Sequence, residues 1–241
     1  MSALKYKRLL VKLSGEALMG RYEFGIDAAV IQDLAVELKG LLDAGVELGV
    51  VIGGGNIFRG AGLAEAGLDR VAGDHMGMLA TVMNAIALKD GLEKAGLPVS
   101  VMSGLAMPQV CDSYTQRDAR ARIARGEIVV FAAGTGNPYF TTDTGASLRA
   151  IEIKADLMIK ATKVDGVYDA DPVKNPDARK YDRLGYDEAI DRRLGVMDIT
   201  AMVMCQQNGL DIAVCNISQA NALLSLARGA DLGTIVTNQG A

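Results

Sequence analysis

The chain alternates almost from end to end between short apolar runs and longer amphipathic ones, and that alternation narrows the fold more than any other feature. Short β-rich segments lie at 8–13, 46–52, 99–102, 128–132, 157–161, 212–216 and 234–237. Several are apolar on consecutive residues, as strands covered on both faces are. Between the first two, residues 28–43 carry Val30, Ile31, Leu34, Leu38, Leu41 and Leu42 on one helical stripe, with Asp27 placed to cap the start and Gly45 to end it. Asp74 similarly precedes a helix bearing Met78, Leu79, Val82, Met83 and Ile86. Further helices are expected near 116–125, 145–154, 186–194, 198–208 and 219–228. This spacing predicts an α/β fold, a three-layer αβα sandwich with a mainly parallel central sheet. The polar stretch 165–183, with Pro172 and Pro176, is the exception and reads as a long surface loop. No repeat or linker divides the 241 residues, so a single domain over 1–241 is expected.

Ligands of open parallel sheets bind at the carboxyl ends of the strands. Four such ends are rich in glycine or small hydroxyl residues: 12–15 (Lys-Leu-Ser-Gly), 53–56 (Gly-Gly-Gly-Asn), 134–142 (Gly-Thr-Gly-Asn-Pro-Tyr-Phe-Thr-Thr) and 160–166 (Lys-Ala-Thr-Lys-Val-Asp-Gly). Glycine at a corner lets backbone N–H groups converge on an anion, and a helix starting there adds its dipole. Four corners in one domain suggest a ligand with several phosphates. Lys12 lies in an otherwise apolar strand just before Ser14-Gly15 and could supply the cation; alone, it reads equally as an edge-strand lysine reaching solvent. Arg59 could fork onto a phosphate or be an ordinary surface residue. Asp74 and Asp143 could be N-caps only, His75 reads as structural, and the methionines around Met76, Met78 and Met83 read as core packing.

Composition removes other chemistries. A single histidine forbids a multi-histidine metal site, and Cys111, Cys205 and Cys215 form no paired motif, which fits a reducing compartment. The dipeptide Gly-Lys never occurs, so there is no Walker A loop, and no G-x-G-x-x-G follows a strand. A net charge of −4, no tryptophan and few aromatics argue against nucleic-acid binding. No apolar run approaches the ~18 residues of a membrane span, and the first residues lack a signal-peptide core. The expectation is a cytoplasmic protein with no membrane or nucleic-acid partner.

Taken together the motifs resemble a known family. KLSGEAL at 12–18, VIGGGNIFRG at 51–60, GDHMGMLATVMN at 73–84, GTGNPYFTTDT at 134–144, KATKVDGVYDADP at 160–172 and VMD at 196–198 look like bacterial UMP kinases (uridylate kinases), in order from about residue 7 to 237. The resemblance implies the amino-acid kinase fold, with an acceptor side over roughly 1–155 and an ATP side over roughly 156–241. It implies transfer of the ATP γ-phosphoryl group to UMP, with magnesium, in pyrimidine nucleotide biosynthesis. The roles it implies are Lys12 on the transferring group, with Leu13, Ser14 and Gly15 turning the chain around the ATP phosphates. Gly54 would face UMP, and Gly55 and Arg59 would approach ATP phosphates, with Arg59 also able to meet the acceptor phosphate. Asp74 would bind the UMP ribose. Thr135, Gly136, Asn137, Pro138, Tyr139, Phe140, Thr141 and Thr142 would wrap UMP. Thr162, Tyr168 and Asp171 would line the adenosine pocket. Lys160 would add charge on the ATP side, Asp143 and Asp198 would orient lysines or magnesium-bound water, and magnesium itself would ride mainly on the ATP phosphates. Many members are hexamers activated by GTP and inhibited by UTP. The stretch 89–100 and Glu127 lack the arginine cluster a GTP site would bring.

Two other readings follow from the same residues: a phosphotransferase of this fold acting on carbamate, acetylglutamate or glutamate, or a nucleotide sensor without turnover. The acceptor segment 135–142 with Asp74 favours a nucleotide over an amino acid. The presence of Lys12 and Asp143 favours turnover over sensing.

Overall fold

A computed structural model describes residues 3–58, 67–172 and 174–239. Its main sheet contains β1 (Arg8–Leu13), β2 (Glu47–Ile52), β3 (Val99–Ser103), β4 (Asp112–Ser113), β5 (Ile128–Ala132), β6 (Leu157–Thr162), β9 (Arg183–Gly185), β10 (Ile212–Asn216) and β11 (Thr234–Thr237), in the order β4-β3-β5-β2-β1-β6-β10-β11-β9. Every pairing is parallel except β10 with β11. The seven expected strands are all present; β4 and β9 are short strands at the two edges. Within 165–183, β7 (Val167–Tyr168) and β8 (Lys180–Tyr181) form a small antiparallel ribbon, so the stretch is not wholly a loop.

Period-2 alternation assigns each strand residue to a face. Leu9, Val11 and Leu13 of β1, with Leu157, Ile159 and Ala161 of β6, share one core with α1 (Ala28–Asp43), α2 (Arg70–Lys94) and α7 (Ala222–Ala227). Leu10 and Met158 point the other way, into a core with α3 (Gln116–Ala124), α4 (Thr142–Ile153), α5 (Tyr186–Asp191) and α6 (Ile199–Gln207). Lys12 and Lys160 follow Leu10 and Met158 by two residues and so fall on the α4 side, at the carboxyl end of the sheet. The register sets them directly opposite each other. β1 lies between β2 and β6, which rules out the edge-strand reading of Lys12.

The first helix has the expected bounds. Asp27 caps it by accepting the N–H of Ala29 at 3.0 Å, and Ile31, Leu34, Leu38 and Leu41 are buried. Burial of side chains of this size is worth about 1.5–3 kcal/mol each, which a 16-residue helix needs because it is marginal alone.

Two expectations about α2 are corrected. It begins at Arg70 with Asp69 as cap, so Asp74 sits inside it rather than before it. Met78 and Val82 are buried, but Met76, Leu79, Met83 and Ile86 are 42%, 46%, 55% and 41% exposed, so the methionines are only partly core. The outward residues recur at intervals of three and four, which lines them along one face. By length and composition α2 could cross a membrane, its best window having a mean hydropathy of 1.2; here it packs on α1, β3 and β5. The helix expected at 145–154 starts at Thr142, and its cap is Thr141, not Asp143.

Candidate active site

The loops at the carboxyl ends of β1 and β2 meet closely. A Cβ on Gly15 would stand 2.5 Å from the Gly53 carbonyl oxygen, and one on Gly54 would stand 2.8 Å from the Ala80 Cβ and 2.9 Å from the Gly77 carbonyl oxygen. Only glycine lets the second corner lie on the backbone of α2. A buried amide pair fixes that corner: Asn84 donates to Gly53 O at 2.7 Å and to Asn56 Oδ1 at 2.6 Å, while Asn56 donates back to Asn84 Oδ1 at 3.0 Å and to Gly25 O at 2.9 Å.

Between this corner, α2 and the loop after β5 lies a cavity of about 270 Å³. Gly54, Gly55, Asp74, Thr135, Asn137, Phe140, Thr141 and Thr142 line it, together with Gly77 and Thr81. The expected acceptor residues thus come together, with three exceptions. Gly136 packs on Gly104, whose carbonyl oxygen would stand 2.6 Å from an added Cβ, and Pro138 and Tyr139 lie outside the lining. Gly55, expected beside ATP, lines this cavity instead. Tyr139 contributes its N–H, which donates to Asp74 Oδ2 at 2.7 Å; Arg70 Nε meets the same oxygen at 2.8 Å. Burial pushes the Asp74 carboxyl up, but these two partners outweigh it and hold it below the usual range.

A second cavity, of about 430 Å³, opens on the β6 side and is lined by Lys160, Thr162, Tyr168, Asp171, Arg193 and Val196, among others. The three residues expected for adenosine therefore share one recess with Lys160. Tyr168 donates to Asp165 at 2.7 Å and Thr162 to Val164 O at 2.8 Å. Lys12, Leu13, Ser14 and Gly15 do not line it. Leu13 is core, and Ser14 caps a short 3₁₀ turn, Gly15–Met19, by accepting Glu16 N–H.

An ion cluster stands where the two cavities approach. Asp143, in the first turn of α4, has Oδ1 2.9 Å from Lys12 Nζ and Oδ2 3.1 Å from Lys160 Nζ. Lys160 also donates to the Val196 carbonyl oxygen. All three side chains are largely buried. Burial raises the Asp143 carboxyl, yet the two ammonium groups hold it below the usual carboxylate range. Burial, and the charge of Lys12, lower Lys160 from the ordinary lysine value against the opposing pull of Asp143. Asp198 does not touch the lysines. It caps α6 by accepting Ala201 N–H at 2.9 Å, and it accepts the hydroxyls of Thr141 and, at 3.0 Å, Thr144. It thereby ties the N-termini of α4 and α6 together, an arrangement that favours anions nearby.

Arg59 lies outside the described residues. His75 bonds the Val71 carbonyl oxygen one turn back at 2.9 Å, as the structural reading expected. Sequence reasoning missed Asn84, Thr81, Arg193 and the almost fully buried Arg149. Neither the facing asparagine pair nor the contact of the buried arginine with Gly134 leaves a periodic signal, because those partners are 15 or more residues away.

The family model of the amino acid kinases matches residues 7–216, which span the sheet from β1 to β10. Uridylate kinase of Methylococcus capsulatus is 61% identical over 231 residues, covering 96% of this chain and 97% of the relative. Uridylate kinase of Pseudomonas aeruginosa is 56% identical over 232 residues, covering 96% and 95%. The crystal structure of UMP kinase from Bacillus anthracis superposes with a TM-score of 0.94 at 34% identity, covering 98% of this chain and 97% of that one. The chain belongs to the uridylate kinases of the amino acid kinase family.

Proposed function

We propose that the chain transfers the γ-phosphoryl group of ATP to UMP, giving UDP and ADP. The observation that carries this reading is the Lys12–Asp143–Lys160 cluster between two cavities. Thr142, next to Asp143, lines one cavity, and Lys160 lines the other. UMP takes the cavity around Asp74 and the 134–142 loop; ATP takes the one around Thr162, Tyr168 and Asp171. This divides one domain into an acceptor side over roughly 1–155 and a donor side over roughly 156–241.

A UMP phosphate oxygen forms a bond to the γ-phosphorus as the bond to the β–γ bridging oxygen breaks, and the electron pair leaves with ADP. The attacking oxygen is already ionised near neutral pH, so no general base is required. The protein's task is to align two anions and offset their repulsion. Lys12 stabilises charge on the transferring group, with Lys160 beside it. Asp143 keeps the two ammonium groups side by side and aimed. Asp198 holds the hydroxyls at the start of α4, and Asp74 accepts from ribose hydroxyls, since its carboxylate has acceptor sites beyond the one oxygen that Tyr139 and Arg70 share. Ser14 and Gly15 turn the chain at the donor phosphates, and Arg59 adds charge there.

Among the described residues no group of three carboxylate, histidine or cysteine side chains could hold a metal ion. Magnesium would ride mainly on the phosphates of ATP, with Asp143 and Asp198 as the carboxylates that would orient its bound water. Bound there, magnesium would neutralise phosphoryl oxygen charge.

The outward apolar face of α2 supports self-association, and the family resemblance supports a hexamer. Lys89 pairs with Glu93 and Lys94 with Asp90, each at 2.5 Å, which leaves that region without the basic cluster GTP activation would need. Packing of α2 within the sandwich supports a cytoplasmic enzyme. A coupled ADP-release assay with UMP, CMP, dUMP, carbamate and glutamate as acceptors tests the reading. UMP is expected to give the highest kcat/KM; turnover with an amino acid, or none with UMP, refutes it.

A further inference from the structure

The loop that closes the acceptor cavity leaves β5 through two consecutive residues in the left-handed region, Ala133 at φ 59° and Gly134 at φ 54°. That region is unfavourable for alanine, so groups outside the loop must hold it. Two do. Thr81 of α2 accepts the Ala133 N–H at 2.8 Å, and Arg149 of α4 donates through Nη2 to the Gly134 carbonyl oxygen at 3.0 Å. One turn before Arg149, Gly145 lets Gly134 lie directly on α4: a Cβ there would stand 2.9 Å from the Gly134 Cα.

Arg149 is 4% exposed. Its Nη1 meets Glu152 Oε2 at 2.7 Å, its guanidinium lies 3.6 Å from the Tyr114 ring centroid, and Tyr114 donates to the same glutamate oxygen at 2.5 Å. Stability alone does not call for this group, since a buried ion pair is commonly no better than apolar packing of the same volume. What a planar fork adds is two directed donors, one fixed by Glu152 and one aimed at the loop.

We propose that Arg149 is a positioning residue for acceptor binding: its guanidinium fixes the Gly134 peptide, and through it the placement of Thr135, Asn137 and Thr141 around UMP. This rests on the acceptor cavity being the UMP site. It adds a determinant that touches neither substrate.

The test compares steady-state kinetics of four variants. Arg149→Lys keeps the charge toward Glu152 but loses the second arm, and it is expected to raise KM for UMP about tenfold, the worth of one directed hydrogen bond, with KM for ATP unmoved. Leu41→Ala, in the opposite core, serves as a destabilised control in which KM for UMP stays put. An unchanged KM for UMP in Arg149→Lys, or parallel rises for both substrates, overturns the proposal. If Arg149→Lys does not fold, Thr81→Val removes the other support and carries the same expectation, and an unmoved KM for UMP there overturns the proposal equally. Asp74→Asn separates the two levels: it should raise KM for UMP far more than for ATP. If it does not, the cavity is not the UMP site and the proposal falls with it. If it does while Arg149→Lys has no effect, only the role of Arg149 is lost.

Discussion

Replacing Asp143 with asparagine tests the centre of the site, because it removes the one carboxylate between two buried lysines that the register sets opposite each other. At an effective dielectric of 20, each contact near 3 Å is worth about 5 kcal/mol gross, before the cost of taking the charges out of water. That cost cancels much of it, and loss of one partner of a buried pair typically leaves a net deficit of about 3–5 kcal/mol. Asparagine also removes the largest influence holding Lys160 protonated, so the Lys160 ammonium should lose its proton at still lower pH. Urea unfolding and a pH profile of kcat read the two effects. The variant should lose several kcal/mol at pH 7, and its kcat should fall on an alkaline limb displaced to lower pH. The acid side carries a sign check. Asp143 has a depressed carboxyl, so its contribution is present above about pH 4, the unfolded value, and is lost as pH falls below it. The acid slope of stability should therefore be shallower in the variant. A loss below about 1 kcal/mol, the scale of an exposed ion pair, together with an unmoved pH profile, would refute the argument.

Lys12→Ala should lower kcat by about 10²–10³ if the ammonium stabilises transition-state charge; a change confined to KM would mean it binds both states equally. Arg193, just past the cap of α5, sits at φ 52°, a conformation glycine adopts freely, so Arg193→Gly should raise stability by roughly 1 kcal/mol, about 2–4 °C in Tm; thermal unfolding showing a loss would contradict the backbone argument. Leu79→Glu with Met83→Glu on the outer face of α2 should shift sedimentation to smaller species while leaving helix content unchanged, and an unaltered assembly would mean that another face is used.

The parts of the fold legible in the sequence are those governed by local periodicity and caps. Residues 28–43 showed both, and Asp27 caps as expected. The start of α2 was obscured because Gly73 and Gly77 look like breakers; each lowers helix propensity, yet both line the acceptor cavity, where side chains would intrude. The β7–β8 ribbon was hidden by having two residues per strand, too few for any alternation. Apolar character in α2 identified a helix but not which residues a neighbour covers, so Met83 read as core. In the site, glycine corners and Lys12 announced themselves by type and place. Arg149 looked like any helical arginine, because what defines it is Tyr114 and Gly134, far along the chain.

The adjacency of β1 and β6 has a consequence for how the molecule comes into being. Lys12 precedes its neighbour Lys160 by almost 150 residues, and every strand of the main sheet between them in sequence lies on one side of β1. The two ammonium groups are therefore brought side by side only when β6 docks on β1. That pairing is among the most distant contacts the chain must make, the kind whose loop-closure cost falls due before the contact rewards it.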